Sequence, residues 1–200
     1  MSLLISMVLF SLSMSVSPGP VNFLALNTGL NFGFFKSLTF VLGATLGFTL
    51  LLFAIGLGLG QVSQNVPMLV SGLKVGGCIY LFYIGFTVFK DVEQLRVEGA
   101  SELESAKMPG FWQGWLLQWL NPKAWMACIA GCTAFNVYDS STRLSLFLMI
   151  YFVVCFIGIA TWAMIGNRIK TWLNKRHHLI LFNRTMGTML CGLALMLLSN

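Results

Sequence analysis

Along this chain the apolar positions neither alternate nor form a one-sided stripe; they run almost continuously in long blocks separated by short polar segments. Six blocks stand out: Leu3–Leu30, Ser37–Gly60, Met68–Phe89, Phe111–Phe135, Leu144–Ile165 and Leu179–Leu198. Each suits a helix crossing a bilayer, whose hydrocarbon core takes about 20 apolar residues. Strands of a membrane barrel are about 9–11 residues long and alternate, so helices are expected instead. The expected fold is an all-α integral membrane bundle forming a single transmembrane unit over residues 1–200. The longest connection, Lys90–Pro109, holds five of the six carboxylates and reads as a solvated linker.

Composition agrees with the pattern. Hydrophobic residues are 57% and charged residues 9% of the 200, against about 45–50% and about 25% in soluble chains. So few charges cannot coat so apolar a chain in water. The net charge of +6 is not gathered into an aromatic-interleaved basic surface, so nucleic acid is excluded as a partner. All five cysteines lie inside apolar blocks, which argues against a disulfide framework. The first block has no basic residues before it and runs too long for a secretory signal.

Lysine and arginine set the expected orientation, because cytoplasmic loops carry the basic excess. The first, third and fifth connections hold Lys36; Lys90, Arg96 and Lys107; and Arg168, Lys170, Lys175 and Arg176. The opposite side holds only Arg143, while Lys74, Lys123 and Arg184 fall inside spans. Both termini are therefore expected outside, with the linker in the cytoplasm.

Spans one and four each carry a proline interruption, Ser17-Pro18-Gly19-Pro20 and Asn121-Pro122, 102–104 residues apart. Spans three and six each carry a basic residue followed by glycine, Lys74 with Gly76 and Gly77, and Arg184 with Gly187. These correspondences suggest two repeats of three spans, 1–89 and 111–200, joined by the linker 90–110. An odd number of spans per repeat makes the repeats inverted, and paired broken helices in such repeats point to a substrate site.

Pro18, Pro20 and Pro122 cannot donate to the carbonyls of Met14, Val16 and Gln118. Ser17, Gly19 and Asn121 precede prolines and are turned away from helical angles. Irregular backbone at membrane depth survives only against protein or a polar cavity. The half-helices starting at Pro20 and Pro122 are expected to aim positive N-terminal ends at the midplane, where an anion binds favourably. Lys123, near the bilayer centre, costs at least about 2.5–3.5 kcal/mol there. A carboxylate ligand would offset that cost. No Asp or Glu lies within any of the six spans, so a cationic side chain would find no counter-ion. An ammonium group would rely on freed carbonyls and on the amides of Asn22, Asn27, Gln118 and Asn121. The expected ligand is a small neutral amino acid, with no metal or cofactor.

The ordered motifs carry a resemblance. Ser17-Pro18-Gly19-Pro20-Val21-Asn22, Gly43-Ala44-Thr45-Leu46-Gly47-Phe48, Gly76-Gly77-Cys78-Ile79-Tyr80-Leu81 with Gly85, and Gly114 with Asn121-Pro122-Lys123-Ala124 resemble helices one to four of the LysE/RhtB family of amino-acid exporters. The resemblance implies export of amino acids or derivatives from the bacterial cytoplasm across the inner membrane, driven by the proton gradient. Many members have an acidic or histidine residue near the position of Phe48. Many homoserine/threonine-type members follow the fourth-helix motif with an aromatic run and Leu-Pro, where this chain reads Trp125-Met126-Ala127-Cys128. Both departures look like the cysteine/O-acetylserine exporter branch, and they leave no residue identified for proton coupling.

Other features keep two readings. Gly29/Gly33, Gly43/Gly47 and Gly72/Gly76 suit close helix packing within the bundle or in a homodimer. Trp119 is deep enough in span four to line a cavity or to pack. Tyr80 is either a substrate hydrogen-bonding group or a structural one. Lys74 and Arg184 lie near span ends and can snorkel towards an interface. Cys128 and Cys132 share a helical face but lack C-x-x-C spacing. They leave an intramembrane thiol oxidoreductase as the alternative to a transporter, with a membrane scaffold as a third reading.

Overall fold

The computed structural model describes residues 2–59 and 108–169, with isolated helical positions between 75 and 86 and between 181 and 195. Most of expected spans three and six, the linker as far as residue 107, and Lys74, Cys78 and Tyr80 lie outside the described residues. The described segments are helical. They comprise α1 (Ser2–Val16), α2 (Pro20–Phe32), α3 (Phe34–Ala54), α4 (Phe111–Trp119), α5 (Pro122–Ala134) and α6 (Ser141–Ile169). A π-helical turn, Ile55–Leu59, extends α3, and a 3₁₀ turn, Val137–Asp139, separates α5 from α6.

The first block does not form one straight helix. It breaks at residues 17–19 into α1 and α2, bent by 61°. Pro20 opens α2 at the first helical position, where its missing N–H costs nothing and its fixed φ suits a helix. The fourth block breaks likewise at Leu120–Asn121, with Pro122 opening α5. The fifth is longer than its apolar run, because α6 takes in polar residues from Ser141 to Ile169 at both ends. Helices Phe34–Gly58 and Ser141–Ile169 are each long and apolar enough to cross a membrane, and Leu3–Val16 with Pro20–Phe32 supplies a third such length.

Side-chain exposure marks the outer face as lipid-facing. Ile5, Leu9, Leu12 and Val16 recur at helical spacing on α1, and Met149, Val153 and Ile157 on α6, all exposed. Helices that are apolar on their exposed face suit hydrocarbon rather than water. Inside, hydroxyls bond back to their own helix: Thr28 to the Leu24 carbonyl, Ser37 to that of Gly33 and Thr45 to that of Val41. Such bonds let small polar residues sit in an apolar interior.

Glycines set which helices touch. A Cβ at Gly29 would collide with the Ala163 carbonyl of α6, and one at Gly166 with the Leu26 carbonyl of α2. A second reciprocal pair joins α3 to α4: Gly43 lies on the Phe111 carbonyl and Gly114 on that of Phe40. These glycines pack within the chain. Gly33 does something else: at φ +87° it makes the tight turn from α2 into α3, a conformation other residues rarely adopt.

Candidate functional site

The two helix breaks meet. From the first turn of α5, Lys123 reaches across to the break between α1 and α2, and its Nζ donates to the carbonyls of Ser17 at 2.9 Å and Pro18 at 3.3 Å. Gly19 makes room for it. A Cβ there would lie 3.2 Å from Nζ. Its φ of −172° is extended backbone open to any residue, so the requirement at Gly19 is space.

Around this crossing lies a cavity of about 40 Å³, room for roughly three waters at about 10–15 Å³ each. Ser15, Asn22, Gln118, Asn121, Lys123, Tyr151 and Cys155 bring polar groups to its lining, and Met14, Gly19, Val21, Phe48, Ala124, Ala127 and Ile159 complete it. Among the described residues no carboxylate or histidine lines it. No cluster of three potential metal ligands occurs among the described residues.

Three details differ from what the sequence suggests. The carbonyls of Met14, Val16 and Gln118 are not free: they accept from Ser17 Oγ (3.0 Å), Trp162 Nε1 (3.1 Å) and the Asn121 amide (3.2 Å), respectively. The break heals itself locally, and a tryptophan from α6 caps the end of α1. Available acceptors fall instead at Ser17 and Pro18, where Lys123 now sits.

The N-terminus of α5 is also closed. Asn121 Oδ1 accepts from the Lys123 amide at 3.2 Å, and the Asn121 carbonyl accepts from Ala124 at 2.9 Å. Asparagine is a good N-cap because its side chain replaces the missing turn. The N-terminus of α2 has no side-chain cap, and the Val21 and Asn22 amides find no partner among the described residues. The open anion seat is therefore on α2, opposite the lysine.

Asn27 is the third difference. Two turns beyond the break, it accepts from Asn31 Nδ2 at 2.7 Å and does not reach the cavity. Of the other expected site residues, Pro18, Pro20 and Pro122 shape the breaks without lining the cavity, while Gly19, Asn22, Gln118, Asn121 and Lys123 converge on it. Asn22 has a structural task as well: its Nδ2 donates to the carbonyls of Ser15 (2.8 Å) and Ser17 (3.0 Å), tying α2 to the end of α1. Trp119 stacks on Trp115 and is not part of the lining.

Sequence reasoning missed Met14, Ser15, Phe48, Tyr151, Cys155 and Ile159 as lining residues. Tyr151 carried a usable signal. A phenol in mid-span needs a reason to be there, the same logic that singled out Tyr80. Ser15 Oγ is buried without a partner of good geometry, although the Tyr151 hydroxyl and the Cys155 thiol lie beside it. Apolar residues such as Phe48 and Ile159 carry no such mark.

Broken helices meeting at a lysine-lined cavity within a lipid-facing bundle fit a membrane transporter. A family model described as LysE type translocator matches residues 12–200, and the chain belongs to that family. It is 22% identical over 189 residues to the homoserine/homoserine lactone efflux protein of Salmonella typhimurium, covering 90% of this chain and 88% of the relative. It is 27% identical over 167 residues to YcgF of Bacillus subtilis, whose name assigns it provisionally to amino acid efflux, covering 81% and 77%. An uncharacterized membrane protein of Pseudomonas aeruginosa is 26% identical over 170 residues, covering 81% and 78%. No solved structure matches the chain. The family is one of membrane efflux transporters, which sets aside the thiol oxidoreductase reading.

Proposed function

We propose that the chain exports small neutral amino acids or their derivatives, cysteine and O-acetylserine among them, from the bacterial cytoplasm. In this reading six spans form two inverted repeats with both termini outside, and the proton gradient drives alternating access around the cavity. The observation that carries it is the Lys123 ammonium held on the Ser17 and Pro18 carbonyls across the two breaks. The efflux relative named for homoserine, a small amino acid without a charged side chain, supports the same substrate class.

The geometry offers both ends of a zwitterion a place. A substrate carboxylate takes the Lys123 ammonium and the open Val21 and Asn22 amides. Lys123 then leaves the Ser17 and Pro18 carbonyls, which accept from the substrate's α-ammonium together with Asn22 Oδ1. Lys123 and the Ser17 and Pro18 carbonyls exchange each other for substrate partners, so binding leaves no buried charge unpaired. That matters because an orphaned buried charge costs several kcal/mol. Separating the breaks on binding also gives a reason for the two halves to move, since Lys123 joins them directly.

The test is efflux from cells expressing the chain and preloaded with radiolabelled cysteine, O-acetylserine, threonine or lysine. Saturable efflux of the neutral compounds, lost when the proton gradient is collapsed, is expected. Efflux of lysine alone overturns the substrate class, and efflux indifferent to the gradient overturns the coupling.

A further inference from the structure

Two aromatic rings line the cavity and lie against each other. Phe48 of α3 and Tyr151 of α6 stack with centroids 4.4 Å apart and planes 29° from parallel. Both line the cavity, and both are nearly inaccessible, at 3% and 1% exposure. They are backed by further rings. Tyr151 meets Phe147 edge-on at 5.5 Å and Phe10 at 6.5 Å, and Phe135 packs on Phe10 at 5.6 Å and on Phe147 at 5.1 Å. The wall is thus held by four elements and is not a single movable side chain.

Resting on the exporter reading, we propose that the Phe48–Tyr151 stack is the specificity determinant, the wall on which the substrate's side chain ends. With the carboxylate and ammonium held by Lys123 and the break carbonyls, the side chain is left the rest of the lining, Ala127, Cys155, Ile159 and the two rings. Those neighbours are uncharged and mostly apolar, so they reject a charged side chain by offering it no partner. The closed ring wall rejects a long one by size. Tyr151 also brings a hydroxyl to the corner shared with Ser15 and Cys155, a polar edge suited to a short hydroxyl or thiol side chain.

The prediction concerns a ratio between substrates, which a general loss of folding or transport does not move. Initial efflux of radiolabelled serine and leucine is measured from proteoliposomes holding equal amounts of the unaltered chain, Phe48→Leu or Phe48→Ala. Removing the Phe48 ring opens space in front of Tyr151. The leucine-to-serine ratio should rise at least tenfold in Phe48→Ala and by a smaller step in Phe48→Leu, which still folds if the alanine variant does not. Tyr151→Phe keeps the stack and should leave leucine excluded while slowing serine. Ratios unchanged across the Phe48 variants overturn the proposal while leaving the exporter reading standing. Cysteine replaces serine as the reference if serine is not carried, and if the unaltered chain exports neither of these nor O-acetylserine or threonine, the exporter reading fails and this assignment with it.

Discussion

Replacing Lys123 by methionine tests the centre of the site. In the structure the ammonium makes two hydrogen bonds to backbone carbonyls, while a lysine at the membrane depth expected from the sequence costs at least about 2.5–3.5 kcal/mol. Methionine of similar length removes both the bonds and the cost. The Ser17 carbonyl keeps its bond from Asn22, and that of Pro18 lies at an exposed position. The two effects offset, so insertion and expression should persist. Substrate binding is not offset in this way. A charge-assisted hydrogen bond contributes about 1.5–3 kcal/mol, and 1.4 kcal/mol is tenfold in affinity. Losing one carboxylate contact therefore weakens apparent affinity by roughly tenfold to 150-fold. The assay is initial efflux rate against internal substrate concentration, with size-exclusion chromatography of the same detergent extract. Unaltered kinetics in the methionine variant would refute the carboxylate site. A variant that aggregates would show that the lysine holds the breaks together and that the cancellation worked out above is wrong.

Three further substitutions probe neighbouring links. Gly19→Ala places a methyl group 3.2 Å from Nζ; it should shift Lys123 and lower efflux several-fold at unchanged expression, and Gly19→Val should abolish efflux. Asn22→Ala leaves the Ser15 carbonyl without its donor, at about 1–3 kcal/mol for an unsatisfied buried group, which a lowered unfolding midpoint in detergent should report. Gly166→Leu drives a side chain into the Leu26 carbonyl; overpacking costs about 1–3 kcal/mol or more, so the yield of monodisperse protein should fall sharply, whereas Gly192→Leu, in open space, should be tolerated.

Much of this protein was legible in its sequence because the relevant physics is local. Twenty-residue apolar blocks specify helices in lipid whatever surrounds them, and prolines at residues 18, 20 and 122 break those helices wherever they lie. The cost of Lys123 at depth, and the lack of carboxylates to pair with it, are likewise properties of composition and position. Tertiary structure alone decided where the freed hydrogen-bonding groups went. Val16 is satisfied by Trp162, 146 residues away, and Lys123 by Ser17, 106 residues away; no local pattern encodes either partner. The same holds for the wall of the cavity. Nothing in the sequence pairs Phe48 with Tyr151; their rings meet only when α3 and α6 pack. Helices and their breaks follow from forces acting over a few residues. A cavity is the space left between elements distant in the chain, so its lining depends on how those elements meet.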